Sequence, residues 1–149
     1  MLAITHWAVA LVMVAAAPNE ADRVACERLS NDYAAAVDGN DPAALANLFT
    51  PDGRWQLSHT PMIGRDAIRT YLTDFVARKT VTSMHVTTNV RITLTGPDSA
   101  TGTAYVMIYG IAKGEKPGTP RGLGVYRDRF ERTAEGWRFA ERVLDRVTA

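Results

Sequence analysis

The chain has 149 residues, 46% of them hydrophobic and 22% charged, with a formal net charge of +1. These values suit one globular domain, argue against a disordered or fibrous chain, and give no electrostatic bias toward nucleic acid or an anionic membrane surface. A single cysteine, Cys26, excludes an intrachain disulfide and a thiolate-rich metal site, and it reads as a small, half-buried helix residue.

The chain opens on an apolar run, Trp7 to Ala17, ending in Ala15, Ala16 and Ala17. Residues 1–17 resemble the apolar core and cleavage region of a secretory signal, and the run is too short for a stable membrane span of ~20 residues. No Lys or Arg precedes the run, and Pro18 fits badly after a cut at Ala17. An N-terminal helix packed on the domain, or a start placed upstream of the true one, is the alternative. Export follows from the first reading and a cytoplasmic location from the others.

From Glu20 to Val37 the apolar residues Val24, Leu29, Tyr33 and Val37 lie near helical spacing, and Gly39-Asn40 stops the run. Asp41-Pro42 is an N-cap followed by proline at the first helical position, opening a short helix with Leu45, Leu48 and Phe49. Thr50-Pro51-Asp52-Gly53 reads as a turn, and Trp55 to Ser58 as a short strand. A third helix follows Gly64-Arg65-Asp66 with Ile68, Leu72, Phe75 and Val76 on one face.

From Ser83 the period becomes two: Met84, Val86, Val90, Ile92 and Leu94 alternate with His85, Thr87, Asn89, Arg91 and Thr93. Gly96-Pro97-Asp98 turns the chain into a strand from Ala100 to Gly110, with Tyr105, Met107 and Tyr109 opposite Val106 and Ile108. After a Gly/Pro-rich loop over Ile111 to Arg121, Leu123 to Arg132 and Trp137 to Leu144 form a hairpin. Helices followed by an antiparallel meander predict an α+β domain with helices on one face of a curved sheet that closes around a pocket.

There is no phosphate loop, nucleophile elbow or metal-binding pair of histidines. This points to no cofactor and no metal. The polar candidates are few. Asp38 ends the first helix, where the dipole disfavours a carboxylate, so it either has a partner or a purpose in a pocket, or stays solvated or bonded into the Gly39-Asn40 turn. His85 is the histidine inside a periodic strand. It is either a proton carrier in a pocket or a surface residue sharing a face with Thr87 and Asn89. The pocket reading needs a concave face or a bulge that re-aims the side chain. The aromatic residues Trp55, Tyr71, Tyr105, Tyr109, Tyr126, Phe130 and Trp137 read first as core, although tyrosine hydroxyls along an apolar cavity would suit a hydroxylated hydrophobic ligand.

The run from Tyr33 to Asp38, then Leu48-Phe49-Thr50-Pro51-Asp52-Gly53, Gly64-Arg65-Asp66, His85-Val86-Thr87-Thr88-Asn89 and the closing Tyr126 to Phe130 and Gly136 to Phe139 resemble SnoaL-like domains of the nuclear transport factor 2-like superfamily. The resemblance covers residues 19–148 as one domain. It implies a cone-shaped fold, three N-terminal helices, a deep pocket for a hydrophobic small molecule, and a homodimer formed through the outer sheet face. It extends to scytalone dehydratase and bile-acid 7α-dehydratase, cofactor-free enzymes whose pocket tyrosine, aspartate and strand histidine fall on Tyr33, Asp38 and His85. Trp55, Asn89, Tyr105 and Tyr109 are the candidates for substrate contact. The chain departs from these enzymes in having no Asp, Glu or His between Ala100 and Gly110. The implied activity is a dehydratase or isomerase acting on a hydrophobic oxygenated compound. The alternative is a ligand-binding or partner-stabilising module without turnover, as the same fold also provides.

Overall fold

The computed structural model describes residues 19–147 apart from 113 and 117. The apolar leader, residues 1–17, and with it the expectation of a signal, lies outside the described residues. Among them, no helix is long and apolar enough to cross a membrane.

The first helix, α1 (Glu20–Asp38), starts at a capping box in which Asn19 and Asp22 satisfy each other's backbone N–H groups. Its buried stripe runs through Asp22, Cys26, Leu29, Ser30, Tyr33, Ala36 and Val37. Cys26 is fully buried rather than half-buried, and burial pushes its thiol up to about 12. The second helix, α2 (Pro42–Asn47), is capped by the Asp41 side chain, which accepts from the Ala44 N–H. The residues expected to turn at 50–53 belong to strand β1 (Phe49–Gln56), and a two-residue strand β2 (Met62–Ile63) precedes helix α3 (Arg65–Arg78).

Four long strands follow: β3 (Val81–Gly96), β4 (Ser99–Ala112), β5 (Thr119–Thr133) and β6 (Gly136–Arg146). They pair antiparallel in succession, and β6 then pairs parallel with β1, giving one six-stranded mixed sheet in the order β2-β1-β6-β5-β4-β3. The sheet is bent but does not close, so β2 and β3 remain as edges. Helix α1 packs across the concave face against β3 and β6, while α3 packs on β1 and β2. Between them lies an aromatic core of Tyr33, Phe49, Trp55, Tyr126, Phe130 and Phe139.

Two irregularities set which way the sheet's side chains face. In β3 the register runs Thr88↔Tyr105 and then Arg91↔Thr103, so β3 carries one extra residue, and Asn89 there has φ 53°. An asparagine tolerates this left-handed conformation better than most residues. Before the bulge Val81, Ser83, His85 and Thr87 turn inward; after it Val90, Ile92 and Leu94 do. In β5 the register passes from Ile108↔Gly122 to Tyr109↔Pro120, which makes Arg121 the extra residue.

Candidate functional site

The concave face, α1 and α3 enclose a cavity of about 550 Å³, within the ~300–1,000 Å³ range of small-molecule pockets. Its floor is formed by Tyr33, Trp55, Tyr126, Leu72 and Leu144, and His85 opens onto it from β3.

Asp38 does not reach the cavity itself; it stands behind His85. The His85 backbone N–H donates to Asp38 Oδ2 at 2.8 Å, and His85 Nδ1 lies 2.7 Å from Asp38 Oδ1. The last residue of α1 and an edge strand are thereby tied together across 47 positions of sequence. A carboxylate accepts only, so the ring meets it as Nδ1–H, and Nε2 is left as the free nitrogen of this cavity-lining ring. The carboxylate at the unfavourable end of the α1 dipole therefore has a partner. The His85 side chain is 10% exposed, shielded enough for the contact to be firm and open enough for a ligand to reach.

Tyr33 is buried, and Trp55 Nε1 donates to its hydroxyl oxygen at 3.1 Å. The phenolic O–H remains to donate, and within the protein it faces the Tyr126 hydroxyl. Burial above all, and then the nearby Tyr126, push the Tyr33 hydroxyl well above its usual range, so it stays a neutral phenol; burial likewise raises Tyr126.

Beneath these two rings lies an arrangement that sequence reading did not single out. Arg142, fully buried, donates Nε to Asp128 Oδ1 at 2.8 Å and Nη2 to Asp128 Oδ2 at 2.7 Å and to Ser30 Oγ at 2.9 Å. Its guanidinium carbon sits 4.4 Å from the Tyr33 ring centroid and 4.2 Å from those of Tyr126 and Phe139. Burial works against the cation, but Asp128 offsets this and the pKa lies above the ordinary value. Nη1 has no polar partner among the described residues; π faces surround the cation instead. The signal in the sequence was inward alternation: Asp128 and Arg142 are directly opposed in the β5–β6 register, at positions shared with Tyr126 and Leu144.

Three expected contacts are corrected. Asn89, Tyr105 and Tyr109 do not line the cavity. Asn89 is the bulge residue and is exposed. Tyr105 and Tyr109 fall on the outer face of β4, because Ala104, Val106 and Ile108 take the inner one, and Tyr105 is 50% exposed. Trp55, Tyr33 and His85 do line the cavity. Tyr71, among the aromatic residues weighed as core or cavity wall, completes the wall and mouth with Phe75 of α3 and with Arg78, Lys79, Arg121 and Arg146, which the sequence did not point to for contact. Among the described residues no three His, Cys, Asp or Glu side chains gather as metal ligands would.

Residues 19–143 match the SnoaL-like domain family. The chain belongs to that family. Its fold is shared with a protein of unknown function from Mycobacterium tuberculosis (25% identity, 87% of this chain and 73% of that one, TM-score 0.78). A protein provisionally named an aromatic ring hydroxylase, from Novosphingobium aromaticivorans, is 29% identical over 89% of this chain and 93% of its own, with TM-score 0.77. A protein from the same organism provisionally named a scytalone dehydratase is 25% identical over 86% and 85%, with TM-score 0.75. No functionally curated protein matches the chain.

Proposed function

We propose that this SnoaL-like domain is a cofactor-independent lyase or isomerase acting on a hydrophobic, oxygenated small molecule of steroid-like or polyketide-like shape. The observation that carries this reading is the Asp38–His85 pair, with His85 Nδ1 2.7 Å from Asp38 Oδ1 and the same ring lining an apolar cavity. Similarity to a protein provisionally named a scytalone dehydratase supports it.

In this mechanism His85 Nε2 takes a proton from the carbon beside a substrate carbonyl. Asp38 accepts from Nδ1–H, fixes the tautomer and stabilises the imidazolium that forms. The neutral Tyr33 hydroxyl donates to the carbonyl oxygen as it becomes an enolate. The electron pair then returns to expel a β-hydroxyl, which leaves as water with the proton from His85, or the proton is redelivered to another carbon in an isomerisation. A positioned base contributes ~10²–10⁴-fold, and one oxyanion donor roughly 10²–10³-fold.

The test is turnover of a panel of β-hydroxy polycyclic ketones, followed by the absorbance of the conjugated product, for the wild type, His85→Ala and Asp38→Asn. The expected result is conversion by the wild type and a loss of at least ~10²-fold in His85→Ala with ligand binding retained. Binding without conversion by any form would instead establish a non-catalytic ligand module.

The outer face carries Met84 (65% exposed), Val86, Tyr105 and Leu123 as an apolar patch. We assign it to a homodimer contact, since a second copy would cover it. A monomer at micromolar concentration in light scattering would refute this.

A further inference from the structure

The walls of the cavity and its mouth differ in charge as well as polarity. The floor is aromatic and aliphatic. The mouth holds four cationic side chains, Arg78, Lys79, Arg121 and Arg146, and among the described residues no Asp or Glu lines the cavity. These cations come from separate elements: Arg78 ends α3, Lys79 is its C-cap, Arg121 is the extra residue of the β5 bulge, and Arg146 ends β6.

They are not all neutralised. Arg121 pairs with Glu115, and Lys79 donates to Asn40 Oδ1 at 2.9 Å, a neutral partner. Among the described residues, neither Arg78 nor Arg146 pairs with a carboxylate. The other arginines of the same hairpin behave differently: Arg127 pairs with Asp145, Arg129 with Glu141 and Arg132 with Asp22 and Asp98. Within that hairpin, then, charge is balanced locally, while at the cavity mouth it is left over.

The backbone also makes room for these side chains. A Cβ on Gly122 would meet Arg146 Nη1 at 3.4 Å, and one on Gly110 would meet Arg121 Cγ at 2.9 Å and Val81 Cγ1 at 2.7 Å. The bare position at Gly110 thus lets Arg121 lie across the sheet at the mouth, and Gly122 is in ordinary van der Waals reach of Arg146. On α3, Tyr71, Phe75 and Arg78 follow helical spacing, so one helix face passes from apolar wall to cation.

We propose that the ligand of this pocket is amphiphilic: an apolar ring system held on the aromatic floor and a carboxylate held at the mouth by Arg78 and Arg146, with Lys79 and Arg121 adding to the field. An apolar molecule alone would leave these cations without a counter-charge, and a cationic one would be repelled. Guanidinium groups match a carboxylate in fork geometry, and low-dielectric walls strengthen the field at such a mouth. This inference rests on the cavity being the binding site of the proposed function, and it adds the charge of the substrate.

The test is binding rather than turnover, so the two claims separate. Quenching of tryptophan fluorescence is titrated with matched pairs, 2-naphthylacetic acid against 2-naphthylacetamide and a tetracyclic steroid acid against its primary amide. The acid of each pair is expected to bind roughly 10-fold or more tighter than the amide, the order of one charge-assisted contact. That preference, read as the ratio of acid to amide affinity, should collapse in Arg78→Gln/Arg146→Gln and shrink in high salt. Equal affinity for acid and amide, or an acid preference that survives the double substitution, overturns the proposal and leaves the pocket reading standing. Binding of none of the four compounds overturns both.

Discussion

Two acid–base pairs face the concave side of the same sheet, and they are built for different work. Asp128 and Arg142 lie on adjacent central strands, both side chains at most 1% exposed, with two hydrogen bonds between them and three aromatic rings around the cation. Asp38 and His85 join a helix end to an edge strand, with the carboxylate 23% exposed and one ring nitrogen left over. In the first pair both carboxylate oxygens and two of the three guanidinium nitrogens are engaged inside the protein, so it holds the core and orients Tyr33 and Tyr126. In the second the partner orients the ring and leaves its reactive atom free. A buried pair that is complete is a structural device; a half-buried pair that is incomplete is a candidate for chemistry.

The comparison breaks most sharply if the central pair proves dispensable. Arg142→Met leaves the Asp128 carboxylate buried without its partner and is expected to destabilise the fold by about 3–5 kcal/mol. Denaturant unfolding measures this. Replacing both residues at once, Arg142→Met with Asp128→Leu, should cost less than Arg142→Met alone, because no charge is then stranded.

The peripheral pair should behave in the opposite sense. His85→Ala is expected to leave the unfolding midpoint nearly unchanged while turnover falls ~10²–10⁴-fold. Tyr33→Phe comes next, with a turnover loss of roughly 10²–10³-fold and a stability loss of only about 1 kcal/mol for the Trp55 hydrogen bond. A Tyr33→Phe protein with full turnover would confine that side chain to the core.

Smaller effects sharpen the picture. Asn89→Val puts a β-branched residue at φ 53°, which should cost about 1–2 kcal/mol. It should also reduce turnover, because the bulge is what keeps His85 on the inner face. The least effect is on alkaline stability. The folded Cys26 thiol, raised to about 12 from 9.0, stays protonated in a range where the unfolded thiol has lost its proton. Its contribution is therefore fully present below about pH 9 and fades as pH rises toward 12. Cys26→Ala should flatten that decline in pH-dependent unfolding.

How much of this was legible in the sequence follows from the same contrast. Helix boundaries were readable because Asn40, Asp41-Pro42 and Gly64 act locally, and the long strands because their apolar residues alternate. Alternation alone left the role of Asp38 and the inward turn of His85 open, and the family resemblance pointed to them, since both depend on one extra residue at Asn89 that shifts the strand's phase without disturbing its alternation. The family resemblance offered Asn89, and the prospect of tyrosine hydroxyls along a cavity offered Tyr105 and Tyr109, for substrate contact; the structure puts all three outside the cavity. The first half of strand β1 was hidden because its parallel partner β6 lies about ninety positions later, and Thr50-Pro51-Asp52-Gly53 carries the signature of a turn. The cationic mouth assembles from the ends of four elements, a gathering that no local window contains.

The central claim is that Asp38 holds His85 with Nε2 free toward the cavity. Nitrogen-15 NMR of the His85 ring, in wild type and Asp38→Asn at a pH where the ring is neutral, tests it without a substrate. The expected spectrum shows the Nδ1–H tautomer with an unprotonated Nε2 in the wild type and loss of that preference in Asp38→Asn. A wild-type ring carrying its proton on Nε2 would contradict the account.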